Sequence, residues 1–141
     1  MLLEDREASR SLSLRALSRD GDALTVEAVA TDGDRRWRLA GPLLRRDEAA
    51  ELGAWLAGLP GDLTLGADEW TTLTFASPVL SFAGRRVPGG VVELRVSVLG
   101  MAEEGASAQR TTGVVLGLTL QAAAVERAAV AFVAETSALR G

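Results

Sequence analysis

Alternating apolar and polar positions dominate the first third of the chain. The segment 11–18 places Leu12 and Leu14 on one face, and the segment 23–31 alternates in the same way after Asp20-Gly21-Asp22. A period of two is typical of a strand with one buried face. Asp-Gly between two such runs favours a hairpin, because glycine accepts a positive φ. The pattern therefore predicts two antiparallel strands joined by a tight turn.

The same turn chemistry recurs at Asp32-Gly33-Asp34 and introduces a third strand. This strand is predicted over 35–40, with Trp37 and Leu39 on one side and arginines on the other. Gly41-Pro42 is predicted to end it, because proline cannot donate to a strand ladder. The three strands together predict an antiparallel meander.

The apolar period then changes from two to 3.6. Four apolar residues recur at helical spacing, namely Leu52, Trp55, Leu56 and Leu59. Asp47 and Glu48 precede them, where carboxylates suit the unsatisfied amides of a helix N-terminus. We predict a helix over 46–57, ended by Gly58 and Pro60-Gly61.

Strand patterns return in the second half of the chain. Further strands are predicted over 70–75, 79–83, 91–99 and 113–120, and loops over 62–69, 84–90 and 100–112. Ser77-Pro78 separates the first two of these strands. The segment 113–120 is apolar at nearly every position, so we predict a central strand covered on both faces.

An alanine-rich helix is predicted over 121–139. Val125, Phe132 and Val133 share its apolar face. Strands grouped in hairpins, with only two helices, predict an α+β fold in one domain over 1–141. We expect an antiparallel sheet of six or seven strands, in the order βββ-α-ββββ-α, packed by the two helices.

Composition excludes several reaction classes. The chain has 141 residues with no His and no Cys, and all 15 of its basic residues are arginine. Serine–histidine and cysteine–histidine triads, lysine Schiff bases, phosphate-loop lysines and zinc sites built from His and Cys are therefore impossible. We expect no enzymatic activity, no cofactor and no metal.

Carboxylates keep one enzymatic alternative open. Adjacent pairs such as Asp20 with Asp22, Asp32 with Asp34, and Asp68 with Glu69 could serve glycoside hydrolysis or magnesium-dependent phosphate chemistry. The first two pairs flank turn glycines, which favours a role in turn formation and solubility. A small hydrolase or ligand-binding domain is the alternative to a binding protein, and a structural adaptor is the third.

Charge and hydropathy narrow the expected location and partners. The formal charge is −4, which disfavours direct binding to nucleic acid. The N-terminal segment lacks a basic region followed by an apolar stretch, and no apolar run is long enough for a membrane span. We expect a cytoplasmic protein without membrane contact. The alanine-rich C-terminal helix leaves a homodimer open.

Two long segments carry a family resemblance. The run Trp37-Arg38-Leu39-Ala40-Gly41-Pro42-Leu43-Leu44 leads into a helix ending in Trp55-Leu56, and 73–82 is followed by the long strand from Val91. This arrangement, with the strand and helix over 114–139, resembles the WapI family of bacterial immunity proteins. The chain departs from the family at Ser77, where the family usually has Glu. It also departs over Met101–Arg110, which is small and acidic instead of rich in proline and aromatics.

The resemblance implies a non-enzymatic protein that binds and neutralises a cognate polymorphic toxin. In the toxin–immunity pair after which the family is named, the toxin is a nuclease that acts on tRNA. An acidic surface suits a basic nuclease cleft, and loops tolerate the changes that alter partner choice. The partner-binding residues expected on this basis are Asp32, Asp34, Asp68, Glu69, Glu103 and Glu104.

Overall fold

The chain folds into one antiparallel sheet and two helices. The computed structural model describes residues 1–7, 9–61, 69–77, 79–105 and 110–139. The strands are β1 (Leu2–Glu4), β2 (Arg10–Asp20), β3 (Ala23–Asp32), β4 (Arg35–Arg45), β5 (Thr71–Thr74), β6 (Leu80–Val87), β7 (Val91–Glu103) and β8 (Thr111–Gln121). The helices are α1 (Arg46–Gly58), which continues into a 3-10 turn at Leu59–Gly61, and α2 (Ala122–Ser137). The predicted α+β class is confirmed, with β1 as an additional strand before the predicted order.

Strand β7 is the centre of the sheet. The strand order is β1-β2-β3-β4-β7-β6-β5, and β8 pairs with β7 outside this path. Residues 91–98 of β7 pair with β6 on one edge and with β8 on the other. Strand β4 meets β7 only near its end, where Trp37 pairs with Glu103 and Arg38 pairs with Ala102. The sheet therefore curls, and β7 joins its two halves.

The two predicted Asp-Gly-Asp hairpin turns are confirmed. Gly21 and Gly33 both have φ of 59°, a conformation that glycine adopts without strain. They lie at opposite ends of β3, so the acidic residues of the two turns are at opposite ends of the sheet.

The apolar faces predicted from the alternation line a common core. Leu12 and Leu14 of β2 are buried. The alternating residues of β3 are buried as well, namely Leu24, Val26, Ala28 and Ala30. On β7 the predicted inward residues are buried as well, namely Val92, Leu94, Val96 and Val98. The alternation of period two thus identified the inner faces of β2, β3 and β7 correctly.

Helices α1 and α2 pack directly on each other. A Cβ atom added at Gly53 of α1 would collide with Cγ2 of Val133 in α2, so glycine permits the close approach. In α2, Val125 and Phe132 are fully buried, whereas Val133 lies at the edge of the contact and is 40% exposed. The predicted apolar face of α2 is therefore correct at its centre.

Strand β4 runs through Gly41-Pro42, so the prediction that this pair ends the strand is wrong. The register changes from Val26 paired with Gly41 to Leu24 paired with Leu44. Two residues, Pro42 and Leu43, thus lie opposite Thr25 in a bulge. A bulge tolerates proline because the extra residue needs no ladder hydrogen bond.

The predicted turn over 84–90 is shorter, because β6 continues to Val87. Gly84 lies inside the strand, where a Cβ atom would come 2.6 Å from Leu59 Cδ2 and 3.1 Å from Leu94 Cδ2. The glycine provides space for the packed core beneath it and does not form a turn. Only 88–90 form the turn between β6 and β7.

Strand β8 is not covered on both faces, contrary to the prediction. Its inward residues alternate with outward ones, and Val115 is 68% exposed.

The predicted loop over 100–112 is also shorter, because β7 extends to Glu103 and β8 begins at Thr111. Met101 is fully buried, since a bulge after Val98 restores the inward orientation of β7. The predicted loop over 62–69 lies largely outside the described residues, as do Pro78 and 106–109.

Three carboxylates join elements that are distant in sequence. Asp5 follows β1, and its Oδ1 accepts the amide of Thr119 in β8 at 2.6 Å. Glu48 of α1 accepts the amides of Arg45 at 2.8 Å and Ala76 at 2.9 Å. Glu135 of α2 accepts the amide of Ala16 at 2.8 Å, beside the bulge in β2. Each carboxylate satisfies an amide that the sheet or helix ladder leaves without a partner.

Replacing Asp5 tests how much the hydrogen bond between Asp5 and Thr119 contributes to stability. We expect Asp5→Ala to lower the free energy of unfolding by about 1–3 kcal/mol, because the Thr119 amide loses its acceptor in a site where the Asp5 side chain is only 3% exposed. Asp5→Asn keeps an acceptor oxygen and is the matched control, with a smaller loss expected. Urea titration measures both. Equal losses for the two variants would show that the charge and not the hydrogen bond matters.

The helix contact predicts a coupling between Gly53 and Val133. Gly53→Ala alone should destabilise the protein by about 1–3 kcal/mol through overpacking. In a Val133→Ala background the same change should become neutral or stabilising, because alanine favours a helix over glycine by about 1 kcal/mol. A double-mutant cycle in urea measures this coupling. Additive effects would contradict the close approach.

Candidate protein-binding surface

Four of the six predicted partner-binding residues meet at one end of the sheet. Asp32 and Asp34 flank the β3–β4 turn, and Glu103 and Glu104 lie at the end of β7. The pairing of Trp37 with Glu103 and a 2.8 Å hydrogen bond from the Glu104 amide to the Arg36 carbonyl bring the two segments together. We call this group of four acidic residues, with Arg35, Arg36 and Arg38, the turn cluster.

Arginines neutralise the two glutamates of the turn cluster. Arg35 Nε and Nη2 donate to the two carboxylate oxygens of Glu103, each at 3.0 Å. Glu104 lies 3.4 Å from Arg36 and 3.3 Å from Arg38. This end of the sheet therefore carries a network of mixed charge.

The turn aspartates differ from the two glutamates in their surroundings. Asp32 and Asp34 are exposed, and neither forms a hydrogen bond or salt bridge within the described residues. Arg35 is nearby, and its pKa is raised by Glu103 first and by Asp32 to a lesser extent. The acidic potential of the turn cluster thus comes mainly from the turn itself.

Trp37 lies beneath Arg35 of the turn cluster. The side chain is buried in the core, and the Arg35 guanidinium lies 4.7 Å from its ring centroid. Its indole Nε1 is buried without a hydrogen-bond partner in the described residues. Trp37 is therefore a core residue that orients Arg35.

Glu69, a fifth predicted residue, lies apart from the turn cluster. Glu69 is exposed and precedes β5, which β6 and β7 separate from β4. Asp68 lies outside the described residues. The five predicted residues that the structure describes therefore do not all lie in the turn cluster.

A second charged group surrounds Trp70, next to Glu69. The guanidinium groups of Arg85 and Arg95 lie 4.9 and 4.5 Å from the Trp70 ring centroid. Arg85 Nη2 also lies 2.7 Å from Glu93 Oε2. We call Trp70, Arg85, Glu93 and Arg95 the tryptophan cluster. It lies on the outer face of β6 and β7, opposite the core.

Exposed apolar residues adjoin this face. Leu99 of β7 is 49% exposed, and Val115 of β8 is 68% exposed. Val115 is opposite Ser97, so the two apolar side chains are diagonal neighbours on the outer face of adjacent strands. Large exposed apolar groups on neighbouring strands are typical of a protein-binding surface.

Sequence reasoning found only part of this surface. The alternation placed Arg95 and Glu93 on the outer face of their strand, but it gave no reason to group them with Trp70. That group exists because Ala83 pairs with Arg95 and Thr72 pairs with Ala83. Strand register, which a single sequence does not reveal, decides the neighbours.

A cavity of about 420 Å³ at the start of α1 is lined by two carboxylates, Asp22 and Asp47, and by Arg45 and Arg46. No group of three or more Asp or Glu side chains in them could hold a metal ion. A cavity of about 340 Å³ between the 3-10 turn and the β6–β7 hairpin is lined by Arg86 and no carboxylate. No helix among the described residues has the length and apolar character to cross a membrane.

A family model identifies the relatives of this chain. The model of the immunity protein WapI-like family matches residues 3–139. The chain belongs to this family. No curated protein and no solved structure matches it.

Family membership supports an immunity role, and the match spans both clusters. The matched residues run from β1 to the end of α2.

The two departures from the family pattern, at Ser77 and over Met101–Arg110, have different surroundings. Ser77 is partly exposed beyond β5, whereas Met101 is buried in the core, so only the exposed residues after it are available to a partner.

The pairing of Arg35 with Glu103 predicts a pH dependence. The hydrogen bond from Arg35 holds the pKa of Glu103 below its ordinary value. Because the folded-state pKa is lowered, the pair is intact at neutral pH and is lost as the pH falls through that value. We expect an NMR titration to give a low midpoint for the Glu103 carboxyl. In Arg35→Gln the midpoint should rise, and an unchanged midpoint would contradict the pairing.

Proposed function

We propose that this member of the WapI-like family binds a cognate polymorphic toxin of the nuclease type and neutralises it without chemistry of its own. The observation that carries the proposal is the family match over residues 3–139. The absence of His, Cys and Lys from the sequence agrees with a binding role, because the usual nucleophiles and bases are missing.

The turn aspartates are the proposed acidic contacts. Asp32 and Asp34 lie at a tight turn, and neither forms a salt bridge with an arginine of the described residues, so a cationic group of the toxin can approach them. Nucleases bind polyanions through basic clefts, and complementary charge speeds the association of two proteins. Glu103 and Glu104 would contribute less, since their charges are balanced within the protein.

Co-expression with the toxin domain encoded beside its gene tests the proposed function. We expect the protein to restore growth and to be recovered with the toxin domain in a pull-down. Failure to bind or protect against any adjacent toxin would refute the proposal. Hydrolysis of a small substrate by the purified protein alone would instead favour the carboxylate-based hydrolase.

Charge reversal at the two hairpin turns tests the acidic contacts with a matched control. We expect Asp32→Arg with Asp34→Arg to slow association with the toxin by about tenfold at low salt, and added salt should reduce the difference. Asp20→Arg with Asp22→Arg changes the same Asp-Gly-Asp sequence and the same net charge at the opposite end of the sheet. Stopped-flow kinetics measures both. Equal slowing would show an effect of net charge alone.

A further inference from the structure

Arg95 is a fixed cation whose hydrogen-bonding groups are not used by the described residues. Its guanidinium stacks 4.5 Å from the Trp70 centroid, and no salt bridge or hydrogen bond joins it to another described residue. Glu93, which is two residues away on the same outer face, pairs instead with Arg85. The nearest carboxylate on the strand is therefore already engaged.

Stacking on an aromatic ring orients an arginine so that it can bind a carboxylate. A guanidinium that lies over a ring keeps its edge N–H groups available, and their planar fork matches the two oxygens of a carboxylate. Holding the side chain in place beforehand lowers the entropic cost of binding. Trp and Arg are also the residues most enriched among those that dominate protein–protein affinity.

The surface next to Arg95 suits a protein partner. The outer face of β7 continues from Arg95 to Leu99, and Val115 extends the apolar area onto β8. Leu99 is about 13 Å along the strand from Arg95, a distance that one partner surface spans easily. The net charge of −4 disfavours a nucleic acid as the occupant.

We propose that Arg95, stacked on Trp70, receives a carboxylate side chain of the toxin, and that Leu99 and Val115 provide the adjoining apolar contact. The inference rests on the proposed function and specifies the chemistry of the partner at a second surface, distinct from the turn cluster. The toxin therefore presents an acidic residue beside an apolar patch, in addition to its basic cleft.

Binding of the isolated toxin domain to Arg95 variants tests this inference. We expect Arg95→Gln to weaken the affinity at least about tenfold, as for a central interface residue. Arg95→Lys should recover only part of this loss, because lysine keeps the charge but lacks the planar fork. Arg15→Gln is the matched control, since it removes an exposed outer-face arginine on β2. Surface plasmon resonance gives the affinities, and urea titration shows that each variant is folded.

The outcomes separate this inference from the proposed function. If the wild-type protein does not bind the toxin, the proposed function fails. If the wild-type protein binds and Arg95→Gln binds as tightly as Arg15→Gln, only the inference about Arg95 fails. Binding of a single-stranded RNA that depends on Arg95, with unchanged toxin affinity, would also overturn it.

Discussion

The curl of the sheet depends on the contact between the residues after β1 and strand β8. The Asp5 carboxylate accepts the Thr119 amide at 2.6 Å, and the Thr119 carbonyl accepts the Arg6 amide at 2.8 Å. These two bonds connect the N-terminal segment with β8, and the described residues of these two segments form no regular strand pairing with each other. They bring β8 against the N-terminal strands, so the inner faces of both halves of the sheet can share one core.

Strand β7 determines how the outer surface is divided. It carries Arg95 in the tryptophan cluster, Leu99 in the middle and Glu103 in the turn cluster. Arg95 and Glu103 are eight residues apart, or roughly 25 Å along an extended strand. A bulge between Val98 and Met101 returns Met101 to the core between these two clusters. One strand thus holds both charged clusters at a fixed spacing while its inner face remains apolar.

The two clusters use arginine in different ways. In the turn cluster, Arg35 donates from Nε and Nη2 to Glu103 and lies over a buried tryptophan, so it mainly shapes the surface around the turn aspartates. In the tryptophan cluster, Arg95 rests on a partly exposed tryptophan and has no carboxylate among the described residues. The same pair of residue types therefore gives a self-neutralised surface at one end and an available cation at the other. The difference lies in whether a glutamate of a neighbouring strand is within reach.

The sequence by itself determined the two helices, most of the strands and the buried faces of β2, β3 and β7. Leu24 and Val26 on β3, the Asp-Gly turns, and the start of α1 all follow from local spacing and turn chemistry, which involve neighbours along the chain. It could not determine that Gly84 and Gly41-Pro42 lie within strands, because a packed core beneath Gly84 and a bulge opposite Thr25 decide those positions. Nor could it show that Glu103 is neutralised by Arg35 or that Trp70 lies between Arg85 and Arg95. These contacts join residues far apart in sequence, and only strand register and the curl of the sheet bring them together.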